Sequence, residues 1–154
     1  MSKFRLFLSI CIVWVLGVMQ GVASTLRSVY TQRPSDAEAF YFNAKNYGVK
    51  ADGRTDVSEA LQKAINDVKR TKNFGILFIP EGRYLISRTI YIPSAIRLIG
   101  YGKRRPEIVL APNARGFAQE PQGDKGKAKY MFWFTGSIVE DDNHVNDANA
   151  GTFY

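Results

Sequence analysis

Among 154 residues the chain has one cysteine, Cys11, and one histidine, His144. Cys11 lies in an apolar N-terminal stretch, so the remainder carries no thiol. That excludes disulfides, thiolate metal sites and a cysteine nucleophile there. No serine or cysteine stands in a nucleophile motif near His144, so the sequence offers no triad. Long apolar runs are scarce as well. The outstanding one is "LFLSICIVWVLGVM" (6–19), with Lys3 and Arg5 before it and "QGVAS" after it. A basic start, a short apolar core and small residues beyond it read as a secretory signal peptide over 1–24, cut after Ala23 or Ser24. A signal anchor is the alternative, although the core is short for a membrane span. Ile10 before Cys11 argues against a lipoprotein cysteine. The expectation is an exported protein, secreted or periplasmic, with no membrane contact once the signal is removed.

The chain is not short of charge. Its formal net charge is +7, and loss of Lys3 and Arg5 leaves 19 basic against 14 acidic residues. The cations cluster at "GKRR" (102–105) and "KGKAK" (125–129). A basic surface can attract nucleic acid, an anionic membrane or an acidic polysaccharide. For an exported protein the polysaccharide is the favoured partner and nucleic acid is not expected. A solvated basic face with no partner is the other reading.

Residues 25–39 are mixed and polar, a leader segment. "FYFNAKNYG" (40–48) alternates as a strand ending at Gly48, and "VKADGRTD" (49–56) reads as a turn. Val57, Ala60, Leu61, Ala64, Ile65 and Val68 then recur at the spacing of one apolar stripe, which predicts an amphipathic helix over 56–70. Asp56 stands where an N-cap belongs, and Glu59 three residues on completes a capping-box pattern. After this helix the period changes. "ILFIP" (76–80), "RYLIS" (83–87), "TIYIP" (89–93), "AIRLIGYG" (95–102), "EIVLAP" (107–112) and the aromatic "YMFWFTG" (130–136) are short strand candidates, several of them ending in proline. Their spacing leaves no room for crossover helices, which excludes a Rossmann-like sheet; a sandwich or a solenoid of short strands remains.

Two carboxylates, Asp52 and Asp56, flank the "DGRTD" turn. A glycosidase could use such a pair across the scissile bond. Asp56, however, has a helix to cap, and Asp52 before Gly53 suits a turn in which the side chain bonds its own backbone. Calcium would need more converging oxygens than these two carboxylates supply. The run "EDDNHVND" (140–147) has more, in Glu140, Asp141, Asp142, His144 and Asp147, and reads either as a weak calcium or substrate contact or as a solvated acidic loop. No cofactor is otherwise indicated. "GYGKRR" (100–105) lacks the lysine and hydroxyl pattern of a phosphate loop. In the aromatic strand, alternation sets Phe132 and Phe134 on one face and Trp133 on the other, where it could stack on a sugar ring.

"FNAKNYGVKADGRTDVSEALQKAIND" followed by "ILFIPEGRYLISRTIYIPSAIRLIGYG" resembles the opening of the pectate-lyase-like superfamily of right-handed parallel β-helices, which includes rhamnogalacturonase/epimerase-like proteins. "YMFWFTG" and the closing "DANAGTFY" are similar to its branch of exo-β-1,3-glucanases, the laminarinase-like glycoside hydrolases. The resemblance implies an all-β solenoid begun by a capping α-helix, with residues 40–154 as the N-terminal part of a longer β-helix domain that lacks its C-terminal rungs and cap. It also implies that Gly48, Asp52, Gly53, Asp56 and Glu59 belong to the cap and its turns. Catalytic carboxylates are then expected in later rungs. The implied function is polysaccharide degradation, a β-1,3-glucanase-like hydrolase ahead of a pectate-type lyase. A carbohydrate-binding or adhesin-like β-helix and an inactive fragment are the remaining alternatives.

Overall fold

A computed structural model describes residues 27–117 and 130–139. Within them the elements run β1 (Phe40–Tyr41), α1 (Ala44–Tyr47), β2 (Asp52–Asp56), α2 (Ser58–Lys72), β3 (Gly75–Pro80), β4 (Arg83–Ile86), β5 (Ile90–Pro93), β6 (Ile96–Tyr101), β7 (Glu107–Leu110) and β8 (Phe132–Thr135). All the strand ladders among these elements are parallel, and they form three sheets ordered β1-β3-β6, β2-β4-β7 and β5-β8. The chain visits the sheets in rotation: β3, β4 and β5 make one rung, and β6, β7 and β8 make the next. This is a parallel β-helix, and its hand follows from the right-handed rule for parallel connections.

Two periods build it. In α2 the stripe read from the sequence buries Leu61, Ala64, Ile65 and Val68 completely. In the strands, alternation sends Leu77 and Ile79 of β3, Tyr84 and Ile86 of β4, and Ile90 and Ile92 of β5 into the same core. Register then stacks like on like between rungs, with Leu77 on Leu98, Ile86 on Leu110 and Ile90 on Phe132. Tyr84 is buried with them, its hydroxyl donating to the Pro80 carbonyl at 2.9 Å. Burial first, and Tyr101 second, push that phenol up to about 12.

Adjacent rungs are locked at the corner between the first two sheets. Arg83 donates its N–H to the Ala51 carbonyl (3.2 Å), and Glu107 donates to the Gly82 carbonyl (2.8 Å). A side chain at Gly82 would place its Cβ 2.4 Å from that of Ala51, at a φ of +149°. Only glycine lets the corners stack this closely.

Three local expectations change. The strand expected over 40–48 stops at Tyr41, because Asn43 Oδ1 accepts the Asn46 N–H (2.9 Å) and caps the single helical turn α1, which Gly48 closes at φ +65°. The "DGRTD" stretch is a strand as well as a turn. Asp52 pairs with Arg83 and Asp56 with Leu85, so β2 spends two more residues than β4 over this span and the turn forms a bulge. The capping helix spans Ser58–Lys72 rather than 56–70, and ends where Asn73 takes φ +62° and donates its N–H to the Lys69 carbonyl. Residues of the leader are held: Tyr30 bridges Tyr101, Gly102 donates to the Tyr30 carbonyl (2.8 Å), and Arg33 lies 4.2 Å over the Tyr41 ring. Among the described residues no helix is long and apolar enough to cross a membrane.

The helix also closes an edge. Strand β5 pairs β8 on one side; on the other, the Gln62 side chain takes the place of a strand. Its Oε1 accepts the Tyr91 N–H (2.8 Å) and its Nε2 donates to the Tyr91 carbonyl (2.9 Å). Gln62→Ala should therefore orphan both backbone groups and lower unfolding free energy by about 1–3 kcal/mol. Urea denaturation measures the loss, and hydrogen exchange should show the Tyr91 amide opening faster than its neighbours in β5.

Candidate functional site

The two aspartates singled out in the sequence sit on β2, at the start of the coil. Asp52 Oδ1 accepts the N–H groups of Arg54 and Thr55, both at 2.8 Å, and Oδ2 accepts the Thr55 hydroxyl at 2.9 Å. Gly53, at φ +68°, makes the turn that brings those donors round. The Thr55 and Arg54 N–H groups, then the Thr55 hydroxyl, hold the Asp52 carboxyl down from its ordinary 3.8 to about 2. A carboxylate bonded this way is a poor proton acceptor at neutral pH and has few lone pairs left for a cation.

Asp56 is engaged from two sides. Its Oδ1 accepts the Ser58 N–H (2.8 Å) and the Ser58 hydroxyl (2.6 Å), while Oδ2 accepts the Ser87 hydroxyl. The Ser58 hydroxyl in turn accepts the Ser87 N–H at 2.9 Å, so helix and strand β4 are tied through one carboxylate. Partial burial pushes the Asp56 carboxyl up, but the Ser58 and Ser87 bonds and the nearby Arg88 outweigh it and leave the net shift downward.

The expected capping box is not formed. The N-cap is Val57, without a side-chain cap bond. The Val57 N–H still donates to the Leu85 carbonyl (2.9 Å), so the ladder of β2 holds the chain one residue past Asp56 before the helix begins. Asp56 thus reaches the first helical N–H from outside the cap position. Glu59 lies exposed in the first turn, where its charge suits the helix dipole. Ser58, Ser87 and Gln62 were not singled out by sequence. Ser87 meets Ser58 and Asp56 only once β4 comes alongside, and no local pattern marks it.

Strand β8 places Trp133 beside Tyr91, half-buried, with Tyr130 edge-on at 5.7 Å. Phe132 packs on the core, whereas Phe134 on the same side of the strand is 56 % exposed. Alternation therefore does not cover the whole face: Phe134 pairs in register with Ile92 and still stands in solvent. Among the described residues no three His, Cys, Asp or Glu side chains gather as metal ligands. Glu140, Asp141, Asp142, His144 and Asp147 lie outside the described residues.

A model of the rhamnogalacturonase A/epimerase, pectate lyase-like family matches residues 41–151. The chain belongs to that family. Its similar relatives include a glucan 1,3-beta-glucosidase of Cochliobolus carbonum, 33% identical over 85 residues, covering 49% of this chain and 11% of the relative. The preneck appendage protein of Bacillus phage PZA is 37% identical over 73 residues, covering 47% of this chain and 8% of the relative. Alginate lyase 7 of Azotobacter vinelandii is 32% identical over 76 residues, with 45% and 9% covered. The chain thus matches about a tenth of each of these relatives' length.

The Asp52 turn has a pH signature. Its carboxyl titrates lower folded than unfolded, so its contribution to stability is present above the ordinary value and lost as pH falls through the folded one. Urea midpoints of the wild type should therefore fall between about pH 4 and about pH 2 through this group, and Asp52→Asn should remove that part of the slope. Removing the Asp56 carboxylate in Asp56→Ala should cost about 1–2 kcal/mol, as a lost helix-end acceptor does, read as a drop in melting temperature.

Proposed function

We propose that this chain supplies the N-terminal cap and first rungs of an exported β-helix protein acting on polysaccharide, and that the whole protein is a glycoside hydrolase of the β-1,3-glucanase-like kind. The observation that carries this reading is the likeness, over 85 residues, to a glucan 1,3-beta-glucosidase. In this reading Gly48, Asp52, Gly53, Asp56 and Glu59 shape the cap and its turns, and the hydrolytic carboxylates lie outside the described residues. The hydrogen bonds already made by Asp52 and Asp56 support that division, because an acid or base must be free to exchange a proton with substrate. Trp133, with Tyr130 beside it, is the sugar contact of the reading. Export through the first 24 residues fits a polymeric substrate that stays outside the cell.

A non-catalytic carbohydrate-binding β-helix is the second reading. It is favoured by the phage relative, which is named for a virion appendage rather than for a reaction. A lyase is the third, supported by the alginate lyase relative.

Incubation of the whole protein with laminarin separates them. Release of glucose or short gluco-oligosaccharides supports the hydrolase, while unsaturated products absorbing near the ultraviolet from alginate or polygalacturonate support the lyase. Retention of intact polymer with neither product supports the binding module. If the hydrolase reading holds, Asp52→Asn should keep kcat unchanged, and Trp133→Ala should raise KM with kcat little altered.

A further inference from the structure

A cleft of about 510 Å3 lies far along the chain from Trp133, where the C-terminus of α2 meets the first sheet. Its floor is the outward pair Ile76 and Arg97, neighbours in register across β3 and β6. One wall is Phe74, and the others are Lys72 and the leader residues Asp36 and Glu38.

Phe74 is 67 % exposed, and the backbone holds it so. Asn73 before it takes φ +62°, and Gly75 after it takes φ +155° with its Cα packed so close to Val68 that a Cβ would lie 2.9 Å from the valine Cγ1. The kink directs the ring outward between two fixed neighbours, so little backbone ordering is left for a ligand to impose. An exposed aromatic beside polar groups that line the same cavity is a common element of a small-ligand site.

The charges decide the ligand class. Lys72 and Arg97 contribute two positive groups and Asp36 and Glu38 two negative ones, in a chain whose net charge is +7. Lys72 and Glu38 pair with each other across the cleft wall, and Asp36 Oδ1 accepts the Glu38 N–H at 2.9 Å. The cleft is balanced where the chain as a whole is basic, so it offers a uronate or sulfate no surplus of positive charge. It does offer carboxylate acceptors, guanidinium donors and an apolar ring face together. That set suits a molecule with hydroxyls around its rim and C–H groups on its faces.

We propose that this cleft binds a neutral glucan strand, with one glucosyl ring stacked on Phe74 and its hydroxyls shared between Arg97 and the carboxylates of Asp36 and Glu38. The proposal rests on the polysaccharide reading above and adds a subsite on the cap. A subsite there would hold the polymer while later rungs act on it.

Isothermal titration of the whole protein with laminarihexaose is the test, alongside Phe74→Ala, Phe74→Trp and Arg97→Ala. Phe74→Ala should weaken binding about tenfold, the loss of one aromatic stacking contact, and Phe74→Trp should retain it. Since Phe74 is exposed, its melting temperature should match the wild type in both variants. Equal affinity in wild type and Phe74→Ala overturns the proposal, as does no binding by the wild type. Tighter binding of oligogalacturonate than of laminarihexaose, sensitive to Phe74, overturns the neutral class. Phe74-dependent binding with no hydrolysis of laminarin leaves the subsite standing and removes the hydrolase reading.

Discussion

The structure depends on closing the first edge of a coil of parallel strands. Each rung of such a coil is satisfied by the rungs on either side, so the first rung presents backbone donors and acceptors with nothing to pair. Helix α2 closes that end in two ways at once. Its apolar stripe, with Leu61, Ala64, Ile65 and Val68 fully buried, plugs the hollow between the sheets. Its polar side then substitutes for a strand: Gln62 presents an amide to Tyr91 in the pattern of a peptide group, and Lys69 donates to the carbonyls of Asn73 and Ser94 at 3.0 Å. A purely apolar plug would leave the Tyr91 groups without partners, and a purely polar one would leave the core open.

The same constraint explains the aspartates. A chain entering a β-helix must pass from strand to helix and back within a few residues, and each passage strands N–H groups that need acceptors. Asp52 takes two of them on the bulge, and Asp56 takes the first of α2 while binding Ser87 just past β4. Both carboxyls are held down by these bonds. Paired acids on a loop therefore signal chemistry in one setting and backbone satisfaction in another. The number of local donors around them distinguishes the two.

Much of this was legible in the sequence, and its limits have physical causes. The helix stripe and the strands from Ile76 to Leu110 declare themselves because burial on one face imposes a period that local chemistry does not override. The stretch from Phe40 to Asp56 does not, because single side chains decide it: Asn43 diverts an alternating pattern into a helical turn, and Asp52 builds a bulge inside what reads as a turn. The helix start slipped by two residues for a related reason, since the Val57 N–H is claimed by Leu85, a partner more than twenty positions away. Gln62 was invisible for the same cause. On the helical wheel it is one more polar residue, and its role exists only once Tyr91 lies opposite.

The cap is therefore more than a stopper. Ending α2 against the first sheet forces a kink at Asn73–Gly75, because the chain must reverse within three residues while Gly75 packs on Val68 and donates its N–H to the Ala95 carbonyl at 3.0 Å. With both flanking backbones committed, Phe74 has no route to the core, although burying it there would be favourable by about 1.5–3 kcal/mol. An aromatic left in solvent by such a kink is a standing cost unless something covers it. The leader residues Asp36 and Glu38 approach from the other side without closing over the ring. The geometry that seals the β-helix is thus also the geometry that leaves an exposed apolar ring beside balanced charges at its entrance.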